Sequence, residues 1–196
     1  MVTVTSQMLP LGTKAPPFML KDSIKNKIVS LETFNGKKGL LVMFICNHCP
    51  YVIHIRDSLK SFSDVYLKNN IGIVAINANS TITHPQDGPE EMRKIALEKN
   101  WNFPYLFDEN QTVAKAFKAA CTPDFFLFDN NFLLVYRGQY DDSRPKNNIQ
   151  ITGKDLKNAI DSLLRGEAIS LQQKPSMGCN IKWHPGKEPE YFIIPQ

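Results

Sequence analysis

Gly39-Leu40-Leu41-Val42-Met43-Phe44-Ile45-Cys46-Asn47-His48-Cys49-Pro50 is the stretch that decides the fold. Gly39 to Ile45 is apolar without interruption, as in a strand buried on both faces of a parallel sheet. Pro50 suits the first turn of a helix, where its missing N–H is not needed. Val52, Ile55, Leu59, Phe62 and Tyr66 then recur at steps of three and four, which predicts one helix with one apolar face. Ile71 to Asn77 reads as a second buried strand. Strand, helix, strand in this order is a βαβ unit with parallel strands, and the class is α/β.

Downstream, residues 78–88 read as a polar loop containing Pro85 and Gly88, followed by a helix from Pro89 to about Lys99. Phe103 to Phe107 predicts a short strand, and Gln111 to Ala119 a helix with Val113, Ala114 and Phe117 turned inward. Phe125–Phe128 and Phe132–Tyr136, joined by Asp129-Asn130-Asn131, give the signal of an antiparallel hairpin. The last helix is expected to start at Thr152, with Thr152-x-x-Asp155 as a capping box. Its buried face is Leu156, Ala159, Ile160, Leu163 and Leu164, and Gly166 stops it. Residues 167–196 carry four prolines and no strong periodicity. They predict an extended tail, ordered by Ile181, Trp183, Tyr191 and Phe192. The expected organisation is one domain over residues 1–166, N-terminal extension included, with 167–196 packed on it as a tail.

The 196 residues carry 23 Lys and Arg against 19 Asp and Glu, a net charge of +4. The basic residues are scattered, Lys37-Lys38 being the longest run, so no nucleic-acid patch is expected. Residues 1–6 lack a basic segment followed by an apolar one, which predicts no signal peptide. The longest uncharged stretch, Gly39 to Ile55, is short and polar in its middle, so no membrane span is expected. These features together predict a cytoplasmic protein without nucleic-acid or membrane partners.

Cys46 and Cys49 sit where a buried strand meets a helix N-terminus. Unpaired N–H groups and the helix dipole favour a thiolate there, and His48 adds a possible cation, so a lowered pKa is expected at Cys46. Two intervening residues, Asn47 and His48, let the second cysteine close a small ring. The pattern fits a nucleophilic Cys46 resolved by Cys49, with Asn47 and His48 as tuning residues. Zinc binding and inert core thiols are the alternatives; zinc wants a second ligand pair at short spacing, which Cys121 and Cys179 do not form. Cys121-Thr122-Pro123 precedes the hairpin, and its X-Pro bond is either cis, aiming the Thr122 backbone at an extended substrate, or a plain trans turn. Cys121 and Cys179 are either small apolar fillers or a second redox pair with each other.

With these segments placed, the chain resembles the thioredoxin-fold superfamily in its AhpC/TSA (peroxiredoxin-like) branch, as a subfamily with a C-x-x-C active site. Gly12-Thr13-Lys14-Ala15-Pro16-Pro17-Phe18-Met19-Leu20 resembles the family's entry segment, and Phe44 to Pro50 its strand-to-helix junction. Phe103-Pro104-Tyr105-Leu106-Phe107-Asp108, Cys121 to Asp129 and Tyr136-Arg137-Gly138-Gln139 resemble its later core motifs. Pro175 to Trp183 is characteristic of the subfamily. The resemblance implies a central mixed sheet flanked by helices, with Pro123 cis in a substrate-facing loop. It implies a thiol–disulfide oxidoreductase, or alternatively a peroxidase, acting on a thiol or disulfide protein or on peroxide. Recycling would come from a thioredoxin or glutathione system, and no metal or organic cofactor is implied. A non-catalytic binding module is the third expectation. The family's peroxidases carry P-x-x-x-T-x-x-C; aligning Cys49 puts Cys46 in place of the Thr and Val42 in place of the Pro. The Arg expected beside Thr122-Pro123-Asp124 is missing too, so a developing oxyanion has fewer donors. Thioredoxins keep a buried acid six residues before the first cysteine, where this chain has Leu40, so proton transfer falls to water or His48.

Overall fold

A computed structural model describes residues 2–192. In chain order, β1 (Thr3–Thr5), β2 (Met19–Asp22), β3 (Ile28–Ser30) and β4 (Gly39–Phe44) precede helices α1 (Pro50–Ile55) and α2 (Ser58–Lys68). Next come β5 (Ile71–Asn77), α3 (Pro89–Glu98), β6 (Tyr105–Phe107), α4 (Thr112–Ala116), β7 (Cys121–Thr122), β8 (Asp124–Asp129) and β9 (Leu134–Gly138). The last two are α5 (Lys154–Arg165) and β10 (Met177–Asn180). One sheet has the order β3-β2-β6-β5-β4-β8-β9, and a small second sheet has the order β1-β10-β7. β4, β5 and β6 run parallel while β2, β3, β8 and β9 join antiparallel, so the large sheet is mixed.

Every residue of β4 is buried, which explains its unbroken apolar run. Leu41, Met43 and Ile45 enter one core with Val52, Ile55, Leu59 and Phe62. Leu40, Val42 and Phe44 enter the other, with Phe117, Phe126 and Trp183. Phe117 sets its ring edge-on against Phe44 and Phe126 at 5.5 Å each and against Phe128 at 6.0 Å. Such contacts contribute about 0.5–1.5 kcal/mol per pair beyond area burial. No helix among the described residues is long and apolar enough to cross a membrane.

Three expectations need correction. The single helix after Pro50 is two, α1 and α2, separated at Arg56-Asp57. Ser58 Oγ donates to the Ile55 carbonyl at 2.7 Å, supplying a side-chain donor at the break. The apolar face continues across it, from Val52 and Ile55 to Leu59, Phe62 and Tyr66. The capping box at Thr152 does not form. α5 starts instead after Gly153, and Asp141 accepts the N–H groups of Thr152 and Gly153 at 2.6 Å each. Asp155 is held by Gln139 at 2.6 Å rather than reaching back. Finally, the tail contains a strand. β10 lies between β1 and β7, antiparallel to both, and Ile181 and Trp183 just beyond it are buried in the second core.

Candidate active site

β4 and β5 are parallel neighbours, so their carboxyl ends open on the same edge of the sheet. Cys46-Asn47-His48-Cys49 leaves β4 there, and α1 begins at Pro50 with Cys49 as its N-cap. Cys46 and Cys49 are 2% and 0% exposed, and the four cysteines form no disulfide. The Thr122–Pro123 bond is cis. Both sulfurs of the C-x-x-C meet Thr122: Cys46 Sγ lies 3.2 Å from its Oγ1, and the Cys49 thiol donates to its carbonyl oxygen at 3.1 Å.

The loop after β5 folds over the C-x-x-C and buries Asp87 against it. The Asp87 carboxylate accepts the Asn47 N–H at 2.8 Å, His48 Nδ1–H at 2.6 Å and the Asn79 amide at 2.8 Å. Burial opposes its ionisation, but the hydrogen bonds from His48, Asn79 and Asn47 prevail and hold the carboxyl below its ordinary value. An ionised Asp87 is acceptor-only, which assigns the proton of His48 to Nδ1 and leaves Nε2 as a base when the ring is neutral. Nε2 is buried without a protein partner among the described residues. His84 stacks on the His48 ring at 4.9 Å; burial and then the neighbouring His48 push His84 below the usual imidazole value. The Asn47 side chain is fixed from two sides, by the Gln86 carbonyl at 2.9 Å and by the Tyr105 hydroxyl at 3.0 Å.

Cys46, His48 and Asp87 each place one donor atom within 4.8 Å of the others. Sulfur, imidazole and carboxylate at that spacing resemble a nucleophile, a base and the group that orients the base. The same three could share a metal ion, although a closed zinc site takes four ligands.

The expected thiolate at Cys46 is not what the buried site favours. Burial pushes the Cys46 thiol well up, and hydrogen bonding to Cys49 adds to it. Cys49 is instead held below the ordinary thiol value, chiefly by the Cys179 side chain and then by Cys46. Of the two readings of Cys121 and Cys179, apolar fillers or a redox pair with each other, the strand register speaks against the pair. Cys179 stands opposite Thr122 and Asn180 opposite Cys121. Neighbouring residues on a strand face opposite sides, so the two side chains point away from each other. The Thr122 backbone expected to receive a substrate is already lined by β10. Its carbonyl packs on Gly178, where an added Cβ would lie 2.0 Å from the oxygen.

Residues 11–137 match the model of the AhpC/TSA family. The chain belongs to that family. Among solved structures, this family member is similar to an uncharacterized conserved protein from Geobacillus kaustophilus, with 48% identity, a TM-score of 0.93, and 95% and 98% of the two chains covered. It is similar to a hypothetical protein from Sinorhizobium meliloti 1021 at 43% identity and a TM-score of 0.91, with 93% of this chain and 99% of that one covered. The thioredoxin domain of a thiol-disulfide oxidoreductase from Bacteroides vulgatus shares the fold at 19% identity and a TM-score of 0.62, over 80% of this chain and 99% of that one. A search of the curated proteins finds no match. Family and fold support thiol redox chemistry of the thioredoxin-like kind.

Sequence reasoning missed Asp87, Asn79 and Tyr105, and gave His84 no role. The available signal was position: Asn77, Asn79 and Ser80 are polar residues at the carboxyl end of a fully buried strand, where open α/β sheets place their sites. The buried Arg137 does not supply the missing peroxidase arginine. It donates to Asp124 at 3.2 Å and to the Lys118 carbonyl at 2.8 Å, and lies over the Phe126 ring in the second core.

Proposed function

We propose that the protein is a thiol–disulfide oxidoreductase using Cys46 and Cys49 as its redox pair. The observation that carries this is the convergence of both sulfurs on Thr122, with the His48–Asp87 pair within 4.8 Å of Cys46. Cys46 is the attacking sulfur, because it is the one beside the His48–Asp87 pair. Its activation is by base rather than by a standing thiolate: His48 takes the thiol proton as Cys46 attacks a substrate disulfide and one substrate thiol leaves. Cys49 then attacks Cys46, the second substrate thiol leaves, and a Cys46–Cys49 disulfide remains. A low-pKa Cys49 is a good leaving group when that disulfide is reduced again. A thiol donor of the thioredoxin or glutathione type reverses the cycle.

A peroxidase is the second reading, favoured by the family but not by the donors: Cys46 stands where the family's Thr does, and Arg137 is occupied elsewhere. The experiment is a paired assay of insulin disulfide reduction and hydrogen peroxide consumption by the reduced protein. Disulfide reduction with slow peroxide turnover is expected. Fast peroxide turnover without disulfide reduction reverses the assignment.

A further inference from the structure

We infer that Cys179 is a third redox thiol of this site, able to take Cys49 into a Cys49–Cys179 disulfide that returns Cys46 to the thiol state. The inference rests on the dithiol reading above and extends it to β10. Strand register sets Cys179 directly opposite Thr122, the residue whose carbonyl receives the Cys49 thiol at 3.1 Å. Gly178 lets β10 come that close, because its α-carbon lies against the same carbonyl without a side chain between them. Cys179 is 3% exposed and lies in the same buried cluster as Cys46 and Cys49. The Cys179 side chain is the chief influence on the Cys49 thiol and Cys46 the next, so Cys49 interacts with both. Cys49 is therefore the cysteine that both Cys46 and Cys179 act on, while Cys121 faces the other side of its strand.

The exchange balances within the protein. In the oxidised form, the Cys179 sulfur attacks Cys49 Sγ; the Cys49–Cys179 bond forms as the Cys46–Cys49 bond breaks. The bonding electrons stay on the Cys46 sulfur, which takes up the proton Cys179 gives up, with His48 close enough to carry it. No oxidant is consumed, and the chain remains oxidised by two electrons. β10 lies along Thr122 where an extended substrate was expected, so Cys179 is an internal disulfide partner held in the substrate's place. Cys46 is thereby freed to meet a second disulfide while the first oxidation is stored under β10.

The test is disulfide mapping of wild type and of Cys46→Ser after oxidation by oxidised glutathione and acid alkylation. In Cys46→Ser the three remaining thiols should fall to one, with Cys49 and Cys179 recovered as one cross-linked peptide. Recovery of Cys49 carrying glutathione, or unreacted, with Cys179 alkylated would overturn the inference. A second measurement guards against a misfolded variant: oxidised wild type should yield Cys49–Cys179 peptides beside Cys46–Cys49 peptides, and Cys179→Ser only the latter. Wild type that yields Cys46–Cys49 alone also counts against a third thiol. Wild type that yields no Cys46–Cys49 link refutes the dithiol reading instead, and the Cys46→Ser result stands apart from it.

Discussion

Asp87→Asn replaces one oxygen by an amide of the same shape and removes one charge, and two effects of opposite sign follow. The carboxylate lies 2.6 Å from His48 Nδ1, so it stabilises the imidazolium formed when His48 takes the Cys46 proton. At an effective dielectric constant of about 20, that attraction is roughly 6 kcal/mol. The same carboxylate repels the new thiolate, from a donor atom within 4.8 Å of the sulfur. That repulsion is roughly 3.5 kcal/mol at the same dielectric constant and full separation, and larger if the atoms are closer. The attraction wins, by up to about 3 kcal/mol, so the variant should react up to about 10²-fold more slowly near pH 7. The assay is stopped-flow reaction of the reduced protein with a small chromogenic disulfide from pH 6 to 10, with near-UV circular dichroism confirming the fold. The deficit should persist to pH 10, because burial holds the Cys46 thiol well above its ordinary value and it still needs a base there. A rate equal to or above wild type at pH 7 would refute the argument, because it would mean that Asp87 acts on Cys46 only by repulsion.

Phe117→Ala should cost about 3–5 kcal/mol in urea unfolding, because it removes the ring that Phe18, Phe44, Phe126 and Phe128 pack against; a loss under 1 kcal/mol would contradict the packing described. Gly178→Ala should destabilise by about 1–3 kcal/mol and change the reactivity of Cys49, since a Cβ there meets backbone rather than a yielding side chain; unchanged stability and alkylation rate would deny the close approach. Folded Asp141 has a lowered carboxyl value, burial being outweighed by hydrogen bonds from Ser143, Gly153 and Thr152, so its stabilisation holds above about pH 4 and is lost as pH falls through the folded value. Burial raises Asp124 to about 6 despite Arg137, so its contribution has the opposite sign, complete below about pH 4 and lost as pH rises through 6. Urea unfolding from pH 3 to 7 should show the acid downturn weakened in Asp141→Asn, and the gain between pH 6 and 4 removed in Asp124→Asn.

The parts legible in the sequence are those whose cause is local or periodic. The unbroken apolar run from Gly39 to Ile45 follows from burial on both faces of β4, and the C-x-x-C is visible because its residues are neighbours. The break between α1 and α2 leaves no trace in the pattern, because both helices bury the same face. Asp87 is invisible for a different reason. In a loop of Thr, His, Pro and Gly it looks like a solvated acid, and its partners Asn47 and His48 are brought to it only by the crossing from β4 to β5. Thr152-x-x-Asp155 has the right residues for a cap, but Asp141 already holds the Thr152 N–H that Asp155 would have to reach. β10 has no alternation to read, because Gly178 and Cys179 are both buried. Its place is set by the Thr122 carbonyl and by β1, neither of which is near it in the chain.

The position of β10 between β1 and β7 also bears on when the site exists. Its walls come from residues 3–5, 46–49, 87, 121–123 and 177–180, so no contiguous fragment contains it. Strands of the large sheet can pair from residues already outside the ribosome while 177–180 are still in the exit tunnel, and both cores are completed only when Cys179, Ile181 and Trp183 arrive. During that interval the Thr122 carbonyl lacks Gly178, Cys49 lacks Cys179, and the C-x-x-C is open to any disulfide it meets. Contacts of such long sequence separation close late in folding. The reactive pair is therefore sheathed only when β10 arrives, so the nascent chain is a less discriminating thiol reagent than the finished protein.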